Sequence, residues 1–106
     1  MDLEQFSNWY NELPLLTYGE ITDKDILEYF TLILQWKRDG IFISNKFPEH
    51  THIKFTVREY WLLLGLLNTD CLEYGSSPRG AWLTDFGKDL LEFLEAGKHL
   101  EYLEEV

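Results

Sequence analysis

A small α+β domain, with several helices packed around one or two β-hairpins, is what this 106-residue sequence predicts. Three observations carry that expectation. Apolar residues make up 45% of the chain and aromatic residues 16%, enough large side chains to fill one core. Segments of helical period alternate with short segments of period two. Clusters of turn-forming residues separate them, the clearest being Gly75-Ser76-Ser77-Pro78-Arg79-Gly80. With no internal repeat and no low-complexity linker, residues 1–106 read as one domain.

The elements follow in order. Leu3, Phe6, Trp9, Tyr10 and Leu13 fall at helical spacing and predict a short amphipathic helix over 1–13, stopped by Pro14. Unless that face packs on the domain, it favours a homodimer. Residues 14–21 form a connector, with Gly19 offering a turn. Thr22 followed three residues later by Asp25 resembles a capping box, and Asp23 and Asp25 suit the positive end of a helix dipole. The helix this opens, over 22–39, stops at Gly40, a natural C′ residue. Its many apolar residues leave a narrow polar face, which predicts burial. Residues 41–57 read as extended, broken around Pro48. Ile53, Phe55 and Val57 alternate with His52, Lys54 and Thr56, as in a half-buried strand of a hairpin. A second buried helix is expected over 56–69, capped by Thr56, because WLLLGLL at 61–67 holds no polar side chain. Gly65 inside it costs ~1 kcal/mol relative to Ala, which suggests a close approach by another element. Residues 71–74 and 81–84 flank the Gly75–Gly80 sextet and predict a hairpin over 71–84. Thr84 then caps a helix over 84–96, with Phe86, Leu90, Leu91 and Leu94 inward. Gly97 interrupts it, and 98–106 reads as a frayed acidic tail with Leu100 and Leu103 as its apolar residues.

The segment AWLTDFGKDLLEFL, residues 81–94, resembles the end of many winged-helix domains. There a wing strand finishes in Leu-Thr, followed by two residues, a Gly and a leucine-bearing helix. The matching residues are Leu83, Thr84, Gly87, Leu90 and Leu91, and the resemblance extends over about residues 56–96. It implies that 56–69 is a recognition helix, that 75–80 is the wing with Arg79 at its tip, and that the chain is a DNA-binding regulator. Two features depart from that pattern. A helix entering the major groove needs a polar face to read base edges, and WLLLGLL is preceded only by Arg58 and Glu59. A helix-turn-helix also needs a helix just before it, whereas 41–55 reads as extended. The expectation is a winged-helix-like scaffold without its DNA-reading part.

Charge separates the partner classes further. The chain carries 9 Lys+Arg against 19 Asp+Glu, a net charge of -10. Residues 1–36 hold seven acids and one base, and residues 59–106 ten acids and three bases. Between them, 37–58 hold five bases and two acids. Two acidic flanks thus enclose a basic middle, and the flanks oppose approach to nucleic acid at long range.

Catalytic and metal chemistry find little support. Cys71 is the only cysteine, so it cannot form an intramolecular disulfide, and it reads as a packed core thiol. A secretory pattern is absent, and WLLLGLL falls well short of the ~20 residues that span a bilayer, so a cytoplasmic protein without membrane contact is expected. His50 and His52 would share one side of an extended segment, but neither Cys71 nor His99 offers a third metal ligand at workable spacing. Phosphate loops, nucleophile elbows and zincin motifs are missing, and the expectation is a non-enzymatic protein without metal or cofactor.

Asp85, Asp89, Glu92 and Glu95 are spaced by four, three and three, which sets them along one helical face opposite the Leu stripe. A solvated helix face is the plainer account of such a stripe, and a docking surface for a basic partner is the sharper one. Glu101, Glu104 and Glu105 extend the charge. The function expected is an acidic protein-interaction module, in its most concrete form an inhibitor occupying the basic groove of a nucleic-acid-binding protein. Phage-encoded DNA mimics and immunity-type proteins act in that way. The alternative is a winged-helix regulator contacting DNA through Lys46, Lys54, Arg58 and Arg79.

Overall fold

The computed structural model describes residues 1–13, 22–40, 57–68, 70–73 and 82–104, the side chains of 57–61 and 68 excepted. It contains helices α1 (Leu3–Asn11), α2 (Asp23–Arg38), α3 (Val57–Asn68), α4 (Asp85–Glu95) and α5 (Leu100–Glu104). Strands β1 (Leu72–Glu73) and β2 (Trp82–Leu83) pair antiparallel, with Leu72 opposite Leu83 and Glu73 opposite Trp82. Helices around one two-stranded hairpin make a small α+β fold, as the periodicities predict. The second predicted hairpin over 41–57 lies outside the described residues apart from Val57, as do the 14–21 connector, the proposed cap Thr56 and the loop at 75–80.

α2 is the central element, with α3, α4 and β2 all packed against it. Ile26, Leu27, Phe30, Ile33 and Leu34 recur at helical spacing and supply its buried face. Thr22 Oγ1 accepts a hydrogen bond from the Asp25 amide (3.2 Å) at its start. Gly40 follows its C-cap Asp39 in the left-handed region at φ 73°, where glycine meets no Cβ penalty.

α1 closes one end. Asp2 and Gln5 form a full capping box: the Asp2 carboxylate accepts from the Gln5 amide (2.8 Å), and the Asp2 amide donates to the Gln5 side chain (2.9 Å). Phe6 is fully buried, stacked on Phe93 (4.9 Å between ring centroids) with Tyr102 edge-on (5.4 Å). The apolar face that the sequence offers for dimerisation is therefore already covered by the domain itself.

Two other expectations need correction. The sequence reads 56–69 as buried all round, with Gly65 at a close approach. Leu63, Leu64 and Leu67 do face the core, but Leu62 is 38% exposed and Gly65 lies on the solvent side with open space where its Cβ would stand. A helix packed against the fold from one side keeps an outer face whatever residues occupy it. The 98–106 segment is also more structured than a frayed tail. α4 ends in a Schellman motif, with Gly97 at φ 73°, the Lys98 amide donating to the Phe93 carbonyl (3.2 Å) and the Gly97 amide to Leu94 (3.0 Å). The chain then turns into α5, where Tyr102 Oη donates to Asn11 Oδ1 (2.6 Å) and packs on Tyr10 (5.5 Å). Residues 105–106 lie outside the described set.

Candidate functional site

Within the resembling segment, residues 82–94 work physically as a strand-to-helix corner. Leu83 points inward while its strand neighbour Trp82 points out, as a period of two requires. The chain then turns at Thr84, whose amide donates to the Cys71 carbonyl (3.0 Å) and whose Oγ1 donates to the Asp70 carbonyl (2.6 Å). The same oxygen accepts from the Gly87 amide (3.0 Å), capping α4. Gly87 rests directly on the Cys71 carbonyl, and any Cβ there would collide with that oxygen. Cys71 is fully enclosed, and burial with help from the Asp70 carboxylate pushes its thiol up to about 12. It is a core residue and a poor nucleophile.

So anchored, α4 buries Leu90, Leu91, Phe93 and Leu94 and turns its acidic side outward. Asp85, Asp89 and Glu92 are exposed, and among the described residues no cation is within ion-pair distance of them. Glu95 departs from the predicted stripe. Its carboxylate accepts from Arg38 Nη1 (2.8 Å) and Gln35 Nε2 (3.2 Å), which ties the end of α4 to α2. The reason is geometric: each three-residue step falls ~60° short of a full turn, so Glu95 has drifted round towards α2. The acidic face therefore consists of three carboxylates, with Glu101 and Glu104 of α5 exposed beyond them. Asp89 and Glu92 also line a shallow hollow of about 220 Å³ with Met1, Phe93, Ala96 and Lys98.

Of the four residues expected to form a basic patch, Lys46, Lys54 and Arg79 lie outside the described residues. Arg58 stands in the first turn of α3, its side chain undescribed. A different set of cations does come together. Lys37 and Arg38, at the end of α2, meet Lys88 of α4 around Trp82 and Leu83, lining a cleft of about 360 Å³. Arg38 is held by Asp39 (3.2 Å) and Glu95 (2.8 Å), and those bonds raise its guanidinium further. Lys37 is buried, and desolvation pulls its ammonium below the ordinary lysine range. Trp82 is 55% exposed, its indole N–H donating to Glu73 Oε2 (3.0 Å) across the hairpin. Sequence reasoning passed over this grouping because Lys88 sits inside an acidic run. The one available signal was alternation: an inward Leu83 forces Trp82 out.

Among the described residues no three His, Cys, Asp or Glu side chains converge as a metal site, and His50 and His52 lie outside them. His99 is half-buried, its Nδ1 enclosed and without a hydrogen-bond partner among the described residues, and desolvation lowers its pKa. No described helix is long and apolar enough to cross a membrane. Compared with known protein families, with curated proteins and with solved structures, the chain matches none.

Proposed function

We propose that this chain is a non-enzymatic acidic interaction module that docks through α4 on a basic protein surface, as an inhibitor covering the groove of a nucleic-acid-binding protein would. The observation that carries this reading is the outer face of α4. Asp85, Asp89 and Glu92 stand exposed and unpaired among the described residues, on a helix whose opposite side is locked into the core. Carboxylates held on a rigid element lose little conformational freedom on binding, which favours recognition by complementary charge. The net charge of -10 adds long-range attraction for a basic partner and repulsion for nucleic acid.

The test is affinity capture from a lysate of the source cells, wild type beside the triple variant Asp85→Lys, Asp89→Lys, Glu92→Lys, at ~50 and ~200 mM salt. A basic protein retained by the wild type, released by salt and lost with the variant supports the reading. Identical capture by both chains sinks it. The DNA-regulator alternative receives no specific support from the described residues, since Leu62 and Gly65 on the outer side of α3 offer no groups that read bases. A mobility shift with random duplex at low salt separates the two.

A further inference from the structure

We propose that α5 is a latch. It lifts off α1 as a unit about the turn at Lys98 and His99 while the rest of the fold stays intact, and in lifting it uncovers the aromatic side of α1 at Phe6 and Tyr10. The device is independent of the acidic face of α4.

Alone, α5 has little to hold it. Its five residues fall far below the ~12–15 that sustain an isolated helix in water, so docking keeps it helical. None of its residues is buried, Leu100 is 51% exposed, and Glu101 and Glu104 face solvent. Docking rests on Tyr102, with Leu103 partly packed on the core beside it. The Tyr102 ring stands edge-on to Phe6 (5.4 Å) and Tyr10 (5.5 Å), and its Oη donates to Asn11 Oδ1 (2.6 Å).

The neighbouring elements do not need α5 in place. The cap of α4 is complete by Lys98, where the Ala96, Gly97 and Lys98 amides donate to the carbonyls of Glu92, Leu94 and Phe93. On α1, Phe6 stays stacked on Phe93 (4.9 Å) and Tyr10 Oη still donates to Asp23 Oδ1 (2.7 Å) when Tyr102 leaves. Only the ring surfaces turned towards Tyr102 become wet.

Two features oppose closure. His99 stands in the turn that must move, with its enclosed Nδ1 lacking a partner among the described residues, and lifting α5 gives that nitrogen water to bond. Closure also brings Glu101 and Glu104 towards α1, a helix that holds Glu4 and no basic residue.

Hydrogen exchange of the full chain, followed residue by residue by NMR, tests the latch. The Leu103 amide donates to the His99 carbonyl (3.1 Å). It should exchange about a hundredfold faster than the amides of Phe30 and Ile33 in α2, and with less dependence on urea, because a local opening exposes little surface. Asn11→Ala changes α1 alone, far from Leu103 in sequence, yet should speed Leu103 exchange about fivefold. Tyr102→Phe should do the same, and the double variant should do no more than either, since each removes the same hydrogen bond. Phe30 and Ile33 should keep their rates in all three variants. Exchange of Leu103 at the rate and urea dependence of α2 overturns the proposal, because α5 then opens only with the whole fold. Fast exchange at Leu103 that Asn11→Ala leaves unchanged overturns it too, because the helix then unwinds without leaving α1. So does an effect of these variants on Phe30 or Ile33 as large as that on Leu103.

Discussion

Thr84 and Gly87 explain why a Leu-Thr-x-x-Gly sequence makes a sharp strand-to-helix corner. The hydroxyl of Thr84 donates to the Asp70 carbonyl and accepts from the Gly87 amide, and Gly87 lets the helix sit against the Cys71 carbonyl. The obstacle is backbone, which cannot rotate aside. Gly87→Ala should therefore destabilise the fold by about 1–3 kcal/mol, the usual range for overpacking, despite the better helix propensity of Ala. Urea denaturation of both chains measures it. A residue-scale effect of a different kind is expected at His99. Burial lowers its pKa below the ordinary 6.5, so the unfolded chain binds the proton more readily than the fold does. The penalty is absent well above pH 6.5 and grows as pH falls below it. Unfolding midpoints from about pH 7.5 downward should drop more steeply for the wild type than for His99→Gln, and parallel curves would refute the coupling.

At the scale of elements, the helix glycines have opposite roles. Gly65 lies mid-helix on the open side of α3, with nothing within 4 Å of the point a Cβ would occupy and no positive φ. Gly97 ends α4 at φ 73°, where an L side chain is strained. Gly65→Ala should stabilise by about 0.5–1 kcal/mol, and Gly97→Ala should destabilise by about 1 kcal/mol. For a chain this short such changes move the melting temperature by about 4–8 °C per kcal/mol, so calorimetry on the two variants decides the signs. The sequence placed the close approach at Gly65 and passed over Gly87. Glycine alone marks missing side-chain volume, and only the docking of α4 on residues 70–71 shows where that volume matters.

Across the whole molecule, two electrostatic effects oppose each other in salt. The excess of ten negative charges repels itself, and screening relieves that repulsion. Screening also weakens the exposed Arg38 bridges to Asp39 and Glu95, but solvent-exposed pairs contribute little to stability. Repulsion should dominate, so the melting temperature should rise between ~20 and ~200 mM sodium chloride, a range over which the Debye length shortens several-fold. A fall would show that the bridges outweigh the net charge.

The features that could be read from the chain alone are local. Caps at Thr22 and Thr84, the glycine after α2, the inward faces of α1, α2 and α4, and the hairpin before α4 all depend on neighbours a few residues apart. Backbone geometry turns such spacings directly into helix faces and turns. Pairings between distant residues were decided by tertiary structure alone: Glu95 with Arg38, Tyr102 with Asn11, Gly87 over Cys71, and Lys37, Arg38 and Lys88 around Trp82. These depend on how the elements dock, and a periodic pattern records which side of a helix is buried without recording what it is buried against. The acidic face was thus legible apart from Glu95, and the cationic cleft was not.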